Sequence, residues 1–227
     1  MKVAVLGGTG DQGLGIAIRL VQAGEEVYIG SREASKAERA ADEIRMLLDD
    51  DSLTNVSGFS NPDAADKADV IIMTVPILAQ KPSLESVKDF VKDKIFVDAT
   101  VPLESNIGGK AVHYFSLWEG SAAERTKSLL GDSSVKVVSA FNNICSFALN
   151  DFKEEVDCDC LVSGDDIEAK KIVFELAHKI PGVQCVDCGP LEQARTVERI
   201  TALLINLNIR HKSRKGGIRI SGIKKDY

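Results

Sequence analysis

The run Lys2–Leu6, followed at once by Gly7-Gly8-Thr9-Gly10-Asp11-Gln12-Gly13, constrains this chain more than any other feature. An apolar β-type segment enters a cluster of glycines, and an amphipathic helical pattern leaves it. Gly8, Gly10 and Gly13 fit G-x-G-x-x-G in the strand–turn–helix context that its mechanism requires. In that mechanism Gly8 permits the tight turn, Gly10 lets a pyrophosphate approach the backbone, and Gly13 lets the helix pack against the strand. The free N–H groups and the dipole at the helix start then hold phosphate. Asp11 would repel a phosphate through its carboxylate. Its side chain is therefore expected to point away or to cap the helix, while its N–H faces the ligand.

The remainder of the chain repeats the strand–helix alternation. Apolar runs such as Val70–Val75 and Ile95–Ala99 read as strands covered on both faces. Further strands are expected at 26–29, 136–140, 160–163 and 184–186, with a weaker one at 55–59. Helices are expected at 12–23, 33–48, 83–91, 121–130, 167–179 and 192–208. This order implies a doubly wound, mostly parallel α/β sheet. The expected division is a dinucleotide-binding domain over 1–152 and a small C-terminal α/β extension over 153–227. A chain of 227 residues with 44% hydrophobic and 27% charged residues fits a soluble globular protein. The formal charge of -6 argues against a general nucleic-acid binder. No apolar run approaches the roughly 18 residues of a membrane span. With no signal-peptide pattern at the start, the expected location is cytoplasmic, and the five cysteines are expected to be thiols.

The second strand decides which dinucleotide fits. An NAD site usually ends that strand with an acid on the ribose diol. Here Ser31 and Arg32 stand just past the strand end, with Lys36 one turn on. A hydroxyl and a guanidinium would hold a 2′-phosphate that a carboxylate would repel. Glu33 supports the opposing NAD reading, but it stands farther from the strand end. NADP is the expected ligand.

Ligands in open α/β sheets bind beyond the carboxyl ends of the strands. That rule points to Thr74–Gln80, Asp98–Ser105 and Ser139–Ser146 as the walls of a cleft. The three histidines, His113, His178 and His211, stand outside these segments, and no acid–base apparatus is apparent. Oxidation of an alcohol needs a group to take the hydroxyl proton. Hydride exchange between two redox rings needs chiefly contact and exclusion of water.

The segments "KVAVLGGTGDQGLGIAIRL", "GSREASKAE", "TVP", "VVSAFNN", "VSGDD" and "DCGPLEQAR" resemble, in order and spacing, the archaeal coenzyme F420-dependent NADP oxidoreductases. The resemblance covers nearly the whole chain. It implies a Rossmann NADP-binding fold, a homodimer, and reversible hydride transfer between reduced deazaflavin (coenzyme F420) and NADP. It also implies pyrophosphate contacts at Thr9, Gly10, Asp11 and Gln12, with Ser31, Arg32 and Lys36 on the 2′-phosphate. By the same resemblance Val75, Ile77 and Val101 line the nicotinamide pocket. Ser146 sits where the rings meet, and the backbone of Gly216 meets the deazaflavin. No residue is expected to be singly catalytic, and no metal is expected. The chain departs from the family pattern at Ile77, where relatives carry an aromatic residue, and at Asn142 and Cys145, where they carry His and Pro. Two other readings stay open on the residues: an NADP-dependent reductase of a small imine, carbonyl or metal chelate, and a non-enzymatic NADP sensor.

Three features carry two readings each. Cys185-Val186-Asp187-Cys188, with Cys158 and Cys160, is read as thiols without a metal, since the spacing is not that of a zinc site. The basic end from Arg210 is either a solvated tail or, through Lys212, Arg214, Lys215 and Arg219, a device steering the anionic deazaflavin. The wide apolar face of the last helix serves the core, a dimer interface, or both.

Overall fold

A computed structural model describes residues 1–50, 52–131 and 134–225. Eight strands form one sheet: β1 (Lys2–Leu6), β2 (Glu26–Ser31), β3 (Val56–Ser60), β4 (Val70–Met73), β5 (Ile95–Asp98), β6 (Lys136–Ser139), β7 (Asp159–Gly164) and β8 (Gln184–Asp187). Their order is β3-β2-β1-β4-β5-β6-β7-β8. Every neighbouring pair is parallel except β6 and β7. The doubly wound, mostly parallel α/β fold is therefore the observed one, and the chain after residue 152 adds two strands to the same sheet.

The helices are α1 (Asp11–Gln22), α2 (Ala34–Leu47), α3 (Asn61–Lys67), α4 (Ile77–Val87), α5 (Ala122–Leu130), α6 (Ser146–Asn150), α7 (Ile167–His178) and α8 (Ala194–Arg210). The period-two alternation of the strands divides the core between two layers. Val3 and Val5 pack with Ile16 and Leu20 of α1, Ile44 of α2 and Val173 of α7. Ala4 and Leu6 pack on the other side with Ala64 of α3, Leu84 of α4 and Ala123 of α5. Both faces are covered, which is why these strands read as continuous apolar runs.

Three elements differ from the sequence expectation. Helix α4 begins directly after Pro76, not at Ser83, and carries Pro82 inside it. Burial of Ile77, Gln80, Leu84 and Val87 outweighs the hydrogen bond that Pro82 cannot make. Helix α3 is capped by Ser60, whose Oγ accepts from Asp63 N at 3.3 Å, with Pro62 in its first turn. Those start signals stand in the sequence, but the helix is too short to show periodicity. Helix α6 is shorter still and holds its place through α1.

Candidate functional site

The order reverses between β1 and β4, so a crevice opens at the carboxyl ends of these strands. The glycine turn fills its mouth. Gly7, not Gly8, takes the left-handed conformation, at φ +81°. Gly8 is required for another reason: a Cβ there would lie 2.9 Å from Ile29 and from the Val5 carbonyl. At Gly13 a Cβ would come within 2.6 Å of the Gly7 carbonyl and of Thr74 Oγ1, so α1 could not pack so closely on the turn. Gly10 is different, because a Cβ there would find its nearest protein atom at 3.5 Å. The fold tolerates a side chain at Gly10, and the space in front of it is open. Gly10 caps α1 with no side-chain hydrogen bond to the first-turn N–H groups. They therefore remain free for an anion. Asp11 is exposed in that turn and does not cap the helix.

On one side of this turn lies a cleft of about 260 Å³ that brings Thr9, Gly10, Ser31, Arg32, Lys36 and Val75 together. It runs into a second recess of about 570 Å³, walled by Pro62, Leu78, Ala79 and Pro82 and sharing Ser31 and Arg32. Ser31 is buried at the end of β2, and Arg32 is exposed beside it. Lys36 Nζ lies 2.6 Å from Glu33 Oε1. The hydrogen bond from Lys36 holds the Glu33 carboxyl below its usual range. Glu33 is thus engaged by a cation rather than free for a ribose diol. Ile77 is buried in the first turn of α4 and Val101 is half-buried in the loop after β5; neither lines these recesses.

On the other side of the turn an apolar cleft of about 350 Å³ is lined by Gln12, Cys145, Ser146, Thr201, Leu204 and Gly216, among others. Gln12 Nε2 donates to the carbonyls of Phe141 at 3.1 Å and Ile144 at 3.2 Å, which ties α1 to the loop after β6. Phe141 in that loop has φ +64°, a costly value for an aromatic residue. Asn142 and Asn143 hold it there. Asn142 Nδ2 donates to the carbonyls of Asp98 and Thr100, each at 3.4 Å, and its own carbonyl accepts from Thr201 Oγ1 at 2.9 Å. Asn143 spans to β7 through Asp159 O at 2.7 Å and Leu161 N at 3.1 Å. Gly216 is clasped by Asn208, whose Oδ1 accepts from its N–H at 2.8 Å and whose Nδ2 donates to its carbonyl at 3.1 Å. Arg214 lies over the Phe147 ring at 5.0 Å, at the rim.

A buried acidic network supports both sets of walls. Asp98 accepts from Thr126 Oγ1 at 2.6 Å, Thr100 N at 2.7 Å and Gln80 Nε2 at 3.0 Å. Burial pushes its carboxyl above the ordinary range. Glu198 of α8 accepts from Ala122 N at 3.0 Å and Ala123 N at 3.2 Å, the first N–H groups of α5. Burial pushes Glu198 up to about 8.

Residues 2–102 match the family described as coenzyme F420-dependent NADP oxidoreductase. The F420-dependent NADP reductase of Methanothermobacter thermautotrophicus is 54% identical over 223 residues, covering 98% of this chain and 96% of that protein. The F420-dependent NADP reductase of Methanocaldococcus jannaschii is 44% identical, covering 99% of this chain and all of that one.

The chain belongs to the F420-dependent NADP oxidoreductase family.

A crystal structure from an Arthrobacter species superposes with a TM-score of 0.82 at 24% identity, covering 98% of this chain, and shares the fold. Against that family frame, the residues that sequence reasoning missed are tertiary partners. Asn61 joins the first cleft from α3, beside Thr74, which opens the Thr74–Gln80 segment that the strand-end rule marks. Thr201, Leu204 and Asn208 join the second from α8. The only signal for the α8 residues was the wide apolar face of that helix. The basic end folds back as a strap along β7. Asp159 accepts from Ile220 N, Lys225 Nζ and Arg219, each within 2.9 Å, and Lys215 pairs with Asp151. Ile218 and Ile220 pack on Leu161, Val186 and Val197. Asp226 and Tyr227 of that end lie outside the described residues. The five cysteines are free thiols; Cys160 and Cys185 are neighbours across β7 and β8, and burial pushes Cys158 and Cys188 up to about 11. Among the described residues no helix is long and apolar enough to cross a membrane.

Proposed function

We infer that the protein transfers hydride between the deazaflavin F420 and NADP, in either direction, with both molecules as substrates. The observation that carries this reading is the placement of one helix start, uncapped at Gly10, between a cationic cleft and an apolar one. Close relatives that bear the activity in their names support it.

The amides of Asp11 and Gln12 hold the pyrophosphate, Gly10 gives its own N–H to the Gly7 carbonyl at 3.0 Å and contributes close approach, and Thr9 adds its hydroxyl. Ser31, Arg32 and Lys36 hold the 2′-phosphate, with the Lys36 ammonium shared between that phosphate and Glu33. The nicotinamide lies toward Val75, Ile77 and Val101. The deazaflavin lies in the cleft of Ser146 and Gly216. The N–H of Gly216 is already given to Asn208, so its contribution is surface and position more than a hydrogen bond. When reduced deazaflavin donates, one hydride leaves its ring for the nicotinamide of NADP⁺, which becomes NADPH, and the ring-nitrogen proton of the deazaflavin is released to solvent. The chain supplies contact, alignment and a dry surround rather than a proton acceptor. Cys145 and Arg214 are the titratable side chains of the apolar cleft, and the Cys145 thiol is turned to the Arg214 carbonyl at 2.9 Å.

Mixing the protein with NADPH and oxidised deazaflavin tests this directly. Loss of both absorbance bands together is expected. Binding of NADPH without turnover would favour a sensor, and turnover with an imine but not deazaflavin would favour a substrate reductase. The exposed Leu203, Leu207 and Ile209 on α8 support a homodimer, which sedimentation would report. A cytoplasmic location fits the same reading.

A further inference from the structure

Asn61 stands where the two recesses of the cationic cleft meet, and it lines both. It is 4% exposed. Among the described residues its Oδ1 is buried with no hydrogen-bond partner. The two other such atoms, Gln80 Oε1 and Ser163 Oγ, belong to residues that line neither recess. An orphaned buried acceptor lowers folding stability, so the native state carries this carboxamide at a cost. The surroundings leave room for it. A Cβ on Gly30 would come within 2.8 Å of Oδ1, so the bare backbone of β2 makes the space. The position is fixed because Asn61 opens α3 directly behind its Ser60 cap.

We propose that Asn61 is a specificity residue for the adenosine end of NADP. This rests on the NADP reading above. Ser31 and Arg32 line both recesses, so a 2′-phosphate held there leaves the rest of the adenosine between Pro62, Leu78 and Pro82. That recess is flat-walled and apolar, and Asn61 is its amide. A carboxamide pairs with adenine by accepting from the exocyclic amine and donating to N7. Its terminal torsion is soft, so the amide turns into the recess without leaving its rotamer. The ribose 3′-hydroxyl is the other donor within the same ligand, and the shared chemistry is a hydrogen bond accepted by Asn61.

The test is calorimetric titration of NADP⁺ and its hypoxanthine analogue into the wild-type protein and into Asn61→Leu, with Asn61→Ala as a second variant. Unliganded melting midpoints are recorded alongside. Leucine keeps the heavy-atom count and branching of asparagine, at a larger volume, and removes the orphaned oxygen. NADP⁺ should bind about tenfold or more weakly to the variants, while the unliganded midpoint of Asn61→Leu holds or rises. If the base is read, wild-type protein prefers NADP⁺ over the hypoxanthine analogue, and the variants lose that preference. If the ribose hydroxyl is read, both dinucleotides weaken by the same factor. Unchanged affinity in both variants overturns the proposal, as does weakened binding that tracks a fall in both unliganded midpoints. Failure of wild-type protein to bind NADP⁺ at all would instead overturn the function.

Discussion

Arg19 leads the fully buried side chains by volume, and it sits in the helix that opens the phosphate site. Its guanidinium donates to the carbonyls of Leu149 at 2.9 Å, Ala148 at 3.0 Å, and Asp151 and Glu154 at 2.8 Å. A buried cation is tolerable when carbonyls at a helix end answer it. The sequence displays this arginine on an otherwise apolar face but not the carbonyls it serves. Arg32 is the opposite case, exposed and legible in the sequence. Arg32→Ala should raise the KM for NADPH by roughly 10- to 100-fold, the worth of charge-assisted hydrogen bonds, and leave that for NADH almost unchanged. Steady-state kinetics with both dinucleotides checks this, and an equal change in both would remove Arg32 from the 2′-phosphate. Glu198 makes a prediction in pH. Burial pushes its carboxyl up to about 8 in the folded state, against about 4.3 when unfolded. Between these values the folded protein holds a proton that the unfolded chain releases. The stabilisation is full below about 4.3 and is lost as pH rises through about 8. Glu198→Gln should therefore lose less stability between pH 5 and pH 8 than wild type, by on the order of 3 kcal/mol. Asp98 shifts in the same direction and leaves a residual slope in the variant. Denaturation at both pH values measures the difference, and parallel slopes would refute it.

Helix α1 is the element on which both clefts depend. Its first turn carries uncapped N–H groups, Gly13 sets its distance from the turn, and Arg19 joins it to the end of α6. Gly15 completes the set, since a Cβ there would lie 2.6 Å from Leu149 Cβ. The G-x-G-x-x-G pattern assigns roles to Gly8, Gly10 and Gly13 and none to Gly15. Only its packing against α6 explains it. Gly15→Ala should displace α6, which carries Ser146, at a stability cost of about 1–3 kcal/mol. The KM for deazaflavin should rise several-fold while the NADPH dissociation constant stays near wild type. A change confined to NADPH would show that α6 does not wall the deazaflavin cleft. Long helices and buried strands were legible because periodicity is local. Helices α3 and α6 were not, because short helices owe their existence to what they touch.

At the scale of the molecule, charge is divided unequally between the clefts. Arg32 faces the first with no ion pair among the described residues, while Lys36 there is paired with Glu33, and Lys215, Arg219 and Lys225 of the strap are paired with Asp151, Asp157 and Asp159. Paired surface charges exert little field beyond a Debye length. Raising salt from 50 to 500 mM should therefore weaken NADPH several-fold and alter the deazaflavin KM much less. Equal salt dependence of the two constants would restore the strap as a steering device. The sequence by itself determined the sheet, its direction, the phosphate turn and the choice between phosphorylated and unphosphorylated dinucleotide. Each of these follows from neighbours along the chain: alternation, glycine spacing, and the residues ending one strand. Only the tertiary structure decided that α8 and the folded-back strap wall the second cleft, and that Asn61 and Asn208 line the two clefts. Those placements join residues far apart in the chain, and contacts of that kind leave no periodic trace in a single sequence.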